Sequence, residues 1–81
     1  MKKELKHAIE LAIHRFLGNA RWWTLSDILM RLYGDGIEES INDIIKIIDG
    51  MIERGQIVKR TATNLNTGGT FLEYHLPDTR E

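Results

Sequence analysis

Lys59 and Arg60 stand side by side just ahead of Thr63-Asn64-Leu65-Asn66-Thr67-Gly68-Gly69, a run of turn-forming residues. Paired cations followed by hydroxyl and amide side chains suit phosphate oxygens and base edges. The glycines would allow close approach of the backbone. Lys2, Lys3 and Lys6 place three further cations near the N-terminus, and Arg21 precedes Trp22-Trp23. In the middle of the chain, Asn42 and Lys46 are the residues of a helical segment best able to reach a base edge. Together these are Lys59, Arg60, Thr63, Asn64, Asn66, Asn42, Lys46, Lys2, Lys3, Lys6 and Arg21, and their shared chemistry is the holding of a polyanion.

Other chemistries find little support. The chain has no cysteine, so it offers no disulfide, thiol nucleophile or thiolate zinc site. His7 and His14 are seven residues apart. On one helix that is about two turns, roughly 10 Å, too far to share one ion. Glu10 and His14 have workable spacing, but two ligands are not a site. Ser26 and Ser40 lack a nucleophile elbow, and Gly68-Gly69 is not followed by the Lys-Ser/Thr of a phosphate loop. No enzyme site, metal or cofactor is expected.

The elements that must position these residues come from a chain of 81 residues, one domain's worth, 42% hydrophobic and 28% charged. The expected domain is 1–76, with a short polar tail at 77–81 opened by Pro77, the single proline. No stretch has the length of a signal peptide's apolar region or of a membrane span, so the expectation is a soluble, cytoplasmic protein. With Met1 at its start it reads as a complete small gene product. Net charge is −1, without the basic excess usual in DNA-binding domains. The charge is unevenly spread: residues 1–23 sum to +3, 24–53 to −5, 54–75 to +2 and 76–81 to −1.

Leu5, Ile9, Ala12, Ile13 and Phe16 recur at helical spacing and predict a first helix from about Lys3 to Leu17, stopped by Gly18-Asn19. Trp22-Trp23-Thr24 reads as a short extended piece, its tryptophans pointing to opposite faces, one into the core. Thr24-Leu25-Ser26-Asp27 approximates a capping box and starts a second helix, which Gly34-Asp35-Gly36 ends. A third helix is predicted over about Glu38 to Arg54, stopped by Gly55. Gln56 to Ala62 and Thr70 to Leu76 read as strands of a hairpin, with Leu72, Tyr74 and Leu76 on one face.

The order helix, short strand, helix, turn, helix, hairpin resembles the winged helix-turn-helix superfamily. Its most specific part is Ile44-x3-Ile48-x2-Met51-x3-Gly55-x-Ile57-x-Lys59-Arg60. The resemblance covers nearly the whole chain and identifies no subfamily. It implies an α+β fold of three helices and a C-terminal hairpin wing. It also implies a DNA-binding transcriptional regulator whose third helix enters the major groove and whose wing touches the backbone or minor groove.

The third helix departs from that pattern. At about 100° per residue its apolar side collects Ile41, Ile44, Ile45, Ile47, Ile48, Met51 and Ile52. Its outward side collects Glu38, Glu39, Asn42, Asp43, Lys46, Asp49 and Glu53, five carboxylates against one lysine. That surface suits a duplex carrying one negative charge per roughly 1.7 Å poorly. Two readings follow. In the first, duplex DNA is held by the wing and the N-terminal lysines, with the acidic face merely solvated. In the second, the acidic third helix, or the tryptophan segment, binds another protein, and DNA affinity is slight. The edges of the apolar arc, Ile45, Ile47 and Ile52, could also serve a homodimer or larger complex.

Overall fold

The computed structural model describes residues 2–18 and 21–77. Asn19 of the expected helix stop and residues 78–81 of the expected tail lie outside them. The elements are α1 (Lys3–Phe16), β1 (Trp23–Thr24), α2 (Leu25–Gly34), α3 (Ile41–Glu53), β2 (Val58–Thr63) and β3 (Thr70–His75). The fold is α+β, three helices and one antiparallel three-stranded sheet in the order β1-β3-β2.

Each helix forms because one stripe of it is apolar and the stripes meet. Ile9, Ile13, Phe16 and Leu17 of α1 and its end, Ile28, Leu29 and Leu32 of α2, and Ile44, Ile47, Ile48 and Met51 of α3 form one buried cluster. Trp23, Ile57 and Tyr74 close it from the sheet side. No polar or charged residue is buried among the described residues, as a domain with so thin a burial margin requires. Of the first stripe, Leu5 is partly exposed and Ala12 half-buried.

Caps set the helix limits. The Thr24 side chain accepts from Asp27 N–H at 3.1 Å, and Asp27 Oδ2 accepts from Thr24 N–H at 3.2 Å. The capping box is complete with aspartate in place of the usual glutamate. At the far end of α2, Gly36 takes φ 85°. Gly36 N–H reaches Tyr33 O and Ile37 N–H reaches Leu32 O, the paired bonds of a Schellman motif, with Ile37 packing back on the core. Gly55, at φ 73°, repeats the device after α3, with Gly55 N–H on Ile52 O and Gln56 N–H on Met51 O. α1 ends without it, since Gly18 is not left-handed.

The third helix is shorter than its periodicity suggested. Ser40 is its N-cap, accepting from Asp43 N–H at 3.2 Å. Glu38 and Glu39 therefore belong to the loop before the helix and not to its first turn. The cause is local: a serine hydroxyl that satisfies a first-turn N–H ends the helix where it sits, whatever precedes it.

In the sheet, β3 is central. Trp23 and Thr24 face Tyr74 and Glu73 across one edge, and Val58 to Thr63 face His75 to Thr70 across the other. Leu76 packs against the core, Tyr74 is buried and Leu72 is partly exposed. β2 is an edge strand carrying Lys59 and Arg60, charges that discourage further strand pairing.

α3 is central to the core, so truncating it should unfold the domain first. Ile48→Ala is expected to cost about 2–5 kcal/mol and Ile48→Val about 1 kcal/mol. Urea unfolding would read both as a lowered midpoint at unchanged slope. An alanine variant as stable as the parent would contradict the packing described.

Candidate nucleic-acid interface

α3 presents its outward stripe through Asn42, Lys46, Asp49 and Glu53, all exposed. Asp43 is half-buried on the flank towards α1, where it lines a shallow depression with Lys6, Lys46 and Ile47. The five carboxylates expected on one surface are thus dispersed. Glu38 and Glu39 lie in the preceding loop, Asp43 lies to the side, and Asp49 and Glu53 occupy the C-terminal half. The first two turns show solvent Ile41, Asn42 and Lys46, at the helix end whose dipole favours anions.

The cations fall into two groups. Lys6 and Lys46 line the α1–α3 depression together with Asp43. Lys3 and Lys6 line a second depression with Glu4, His7, Glu10 and Arg54. Arg54, C-cap of α3, forms a salt bridge with Glu10 of α1. This contact ties the two helices together and takes Arg54 out of the free cations. The N-terminal lysines thus gather along α3 rather than with the wing. Lys2 is exposed at the N-cap of α1.

The wing holds the second group. Lys59 lies opposite Tyr74 in register and is exposed. Arg60, opposite Glu73, bonds to Glu73 Oε1 at 2.9 Å. Its guanidinium also sits 4.0 Å from the centre of the Trp22 ring, and Trp22 lies 5.0 Å from the His75 ring. Arg60 is thus partly committed to the sheet's outer face. Lys6, Lys46 and Lys59 form no ion pair with another described residue. Thr63, Asn64 and Asn66 are exposed on the wing and its loop.

The two tryptophans diverge as alternation requires. Trp23 is buried, stacked on Phe16 with ring centres 6.0 Å apart. Arg21 covers Trp23 at 4.1 Å and reaches Asp27 Oδ2 at 3.5 Å. Arg21 therefore acts as a lid on the aromatic core and a brace for the α2 cap. Trp22 is half-buried on the opposite face.

Sequence reasoning missed the Glu10–Arg54 bridge, the Trp22–Arg60–Glu73–His75 cluster and the approach of Lys6 to Lys46. All three join residues distant in the chain. The one signal in the sequence was the pairing of Arg60 with Glu73, implicit in any hairpin of the right register. No group of three potential metal ligands gathers among the described residues, and no helix there is long and apolar enough to cross a membrane.

The chain matches no protein-family model and no curated protein by sequence. Among solved structures it superimposes on a crystal structure from Thermoplasma acidophilum, named a "putative transcriptional regulator", with a TM-score of 0.83. The two chains are 20% identical, and the match covers 94% of this chain and 72% of the other. At that identity the likeness concerns the fold.

Tyr74 links α3 to the wing. Burial raises its pKa above 10.0, and the carboxylate of Asp49 raises it further. A phenol whose folded pKa exceeds its unfolded one favours the folded state below pH 10. That contribution is lost as pH rises through the folded value. Stability should therefore fall above about pH 10, with a slope that Tyr74→Phe reduces. Urea midpoints measured between pH 9 and 11 would check it, and equal slopes in both proteins would refute it.

Proposed function

We propose that this chain is a winged helix-turn-helix domain that binds duplex DNA in transcriptional regulation. The observation that carries the reading is the outward face of α3's first two turns. Asn42 and Lys46 stand there together, and Lys6 of α1 shares a shallow depression with Lys46 and Asp43. In helix-turn-helix docking the N-terminal residues of the second helix of the motif contact base edges. Asn pairs with adenine and Lys with guanine in the major groove. Lys6 is then placed for the phosphates flanking that groove, with Lys2 and Lys3 further along α1. Lys59 and the wing residues Thr63, Asn64 and Asn66 hold the duplex on the other side of α3. Asp49 and Glu53 continue the same stripe and would repel a duplex laid along the whole helix, so docking is confined to its first two turns. Arg60 and Arg21 contribute mainly by shaping the scaffold, because each already has a carboxylate and an aromatic ring as partners. The likeness in fold to a protein named as a regulator supports the same reading.

The test is fluorescence anisotropy of a labelled duplex at several salt concentrations. Binding should weaken with salt, and Lys6→Gln and Lys59→Gln should each lower the log–log slope by about 1. Asn42→Ala should leave the slope alone and relax sequence preference. Arg60→Glu is a poor probe, since it would set two carboxylates against each other at Glu73. No binding at low salt would end the DNA reading.

One observation favours a second reading, a protein-interaction module. Tyr33 and Ile41 line an open depression with Glu38, Glu39 and Ser40. Ile41 is 50% exposed, and Met30 on α2 is 71% exposed. Apolar side chains rimmed by two glutamates suit a basic partner. On this reading Glu38→Lys with Glu39→Lys weakens capture of that partner, while Lys46→Gln does not.

A further inference from the structure

The wing carries a feature that phosphate binding does not use. Leu65 is 94% exposed, the most exposed large apolar side chain among the described residues. It sits at the loop of the hairpin, held out by a bonded frame. Asn64 N–H donates to Gly69 O at 2.7 Å and Gly68 N–H to Asn64 O at 2.8 Å. Gly69 N–H donates to Thr67 Oγ1 at 3.1 Å, and Asn66 N–H to Asn64 Oδ1 at 2.9 Å. The last bond uses the acceptor of Asn64 inside the loop, so the group it has left to offer a ligand is its NH2, a donor.

The surroundings say what kind of ligand fits. Residues 61–72 contain no carboxylate, and Lys59 and Arg60 stand immediately before them. An apolar tip flanked by amides, on a stalk whose one acid, Glu73, is paired with Arg60 and whose Lys59 is unpaired among the described residues, matches an anionic partner with an apolar interior. The minor groove of A·T-rich DNA has that composition. It is about 6 Å wide, which admits single side chains rather than a two-stranded ribbon, and its A·T edges carry only acceptors. Leucine is among the side chains that wedge between base steps there, kinking the duplex.

We propose that Leu65 is an apolar wedge that enters the minor groove of A·T-rich duplex DNA and bends it, with the Asn64 amide donating to the base edges beside it. This rests on the DNA-binding reading and adds to it a residue that makes no phosphate contact. The wedge contributes affinity through apolar burial, in excess of the cost of deforming the duplex and independent of counterion release.

The experiment is anisotropy together with end-to-end energy transfer on a doubly labelled A·T-rich duplex, with the full chain, Leu65→Ala and Lys59→Gln. Leu65 touches no core residue, so circular dichroism of Leu65→Ala should match the parent. The full chain should bind and shorten the end-to-end distance. Leu65→Ala should bind roughly tenfold more weakly, with an unchanged salt slope and no shortening. Lys59→Gln should lower the slope and keep the bend. If the full chain binds without bending, or Leu65→Ala binds and bends as the parent does, the wedge is refuted and the DNA reading stands. If the full chain does not bind at low salt, both fall.

Discussion

The structure depends on the burial of one helical stripe. Ile44, Ile47, Ile48 and Met51 are all but inaccessible, packed with Ile9 and Ile13 of α1 and Ile28 and Leu32 of α2. That burial fixes the rotation of α3 about its own axis, so it decides which residues the helix shows to solvent. Asn42 and Lys46 are outward because the residues on the opposite side are isoleucines. A helix rotated by one residue, about 100°, would bury one of them and expose an isoleucine in exchange. The hydrophobic effect, which has no direction of its own, thereby aims the polar side chains.

Rotation alone does not place a helix, and its ends do the remainder. Ser40 begins α3, Gly55 and Gln56 close it, and Glu10 of α1 holds the Arg54 cap. The salt bridge is partly exposed and worth little in net stability. Its consequence is geometric: it joins the end of α3 to the middle of α1 and so keeps Lys6 near Lys46. The Schellman turn at Gly55 sends the chain straight into Ile57, a core residue, and then into β2. The wing is therefore anchored to α3 within a few residues, and Tyr74 anchors it again from β3.

How legible this was follows from the range of each interaction. The three helices, the hairpin, the aspartate capping box and the split of Trp22 from Trp23 rest on periodicity or on contacts within four residues, and all were readable. The start of α3 was misplaced because Glu38 and Glu39 suit a first helical turn as well as they suit a loop, and only the Ser40 hydroxyl bond separates the cases. That misplacement carried into the electrostatics, making the outward face of α3 look more acidic than it is. The partners of Arg60, Arg21 and Arg54 were not readable as such. A cation in a sequence looks available until a fold sets a carboxylate or a ring against it. Leu65 was passed over as one member of a turn-forming run, since exposure at 94% is a property of the folded loop.

The distribution of charge bears on how a domain with net charge −1 could use a polyanion at all. Of its cations, Arg21, Arg54 and Arg60 are held by Asp27, Glu10 and Glu73. Lys6, Lys46 and Lys59 have no such partner among the described residues. Phosphate contacts by Lys2, Lys3, Lys6 and Lys59 would give a salt slope of about −4, far from the −10 of a heavily basic binder. Non-specific affinity is then weak by construction, and the acidic C-terminal half of α3 weakens it further in any wrong pose. Weak non-specific binding raises the ratio that matters for finding one site among many, provided uncharged contacts supply what the phosphates do not. Asn42 on α3 and the wing tip are the parts of this surface chemically suited to that role. If the chain binds DNA as proposed, its near-neutral charge would shift discrimination onto a few polar and apolar side chains.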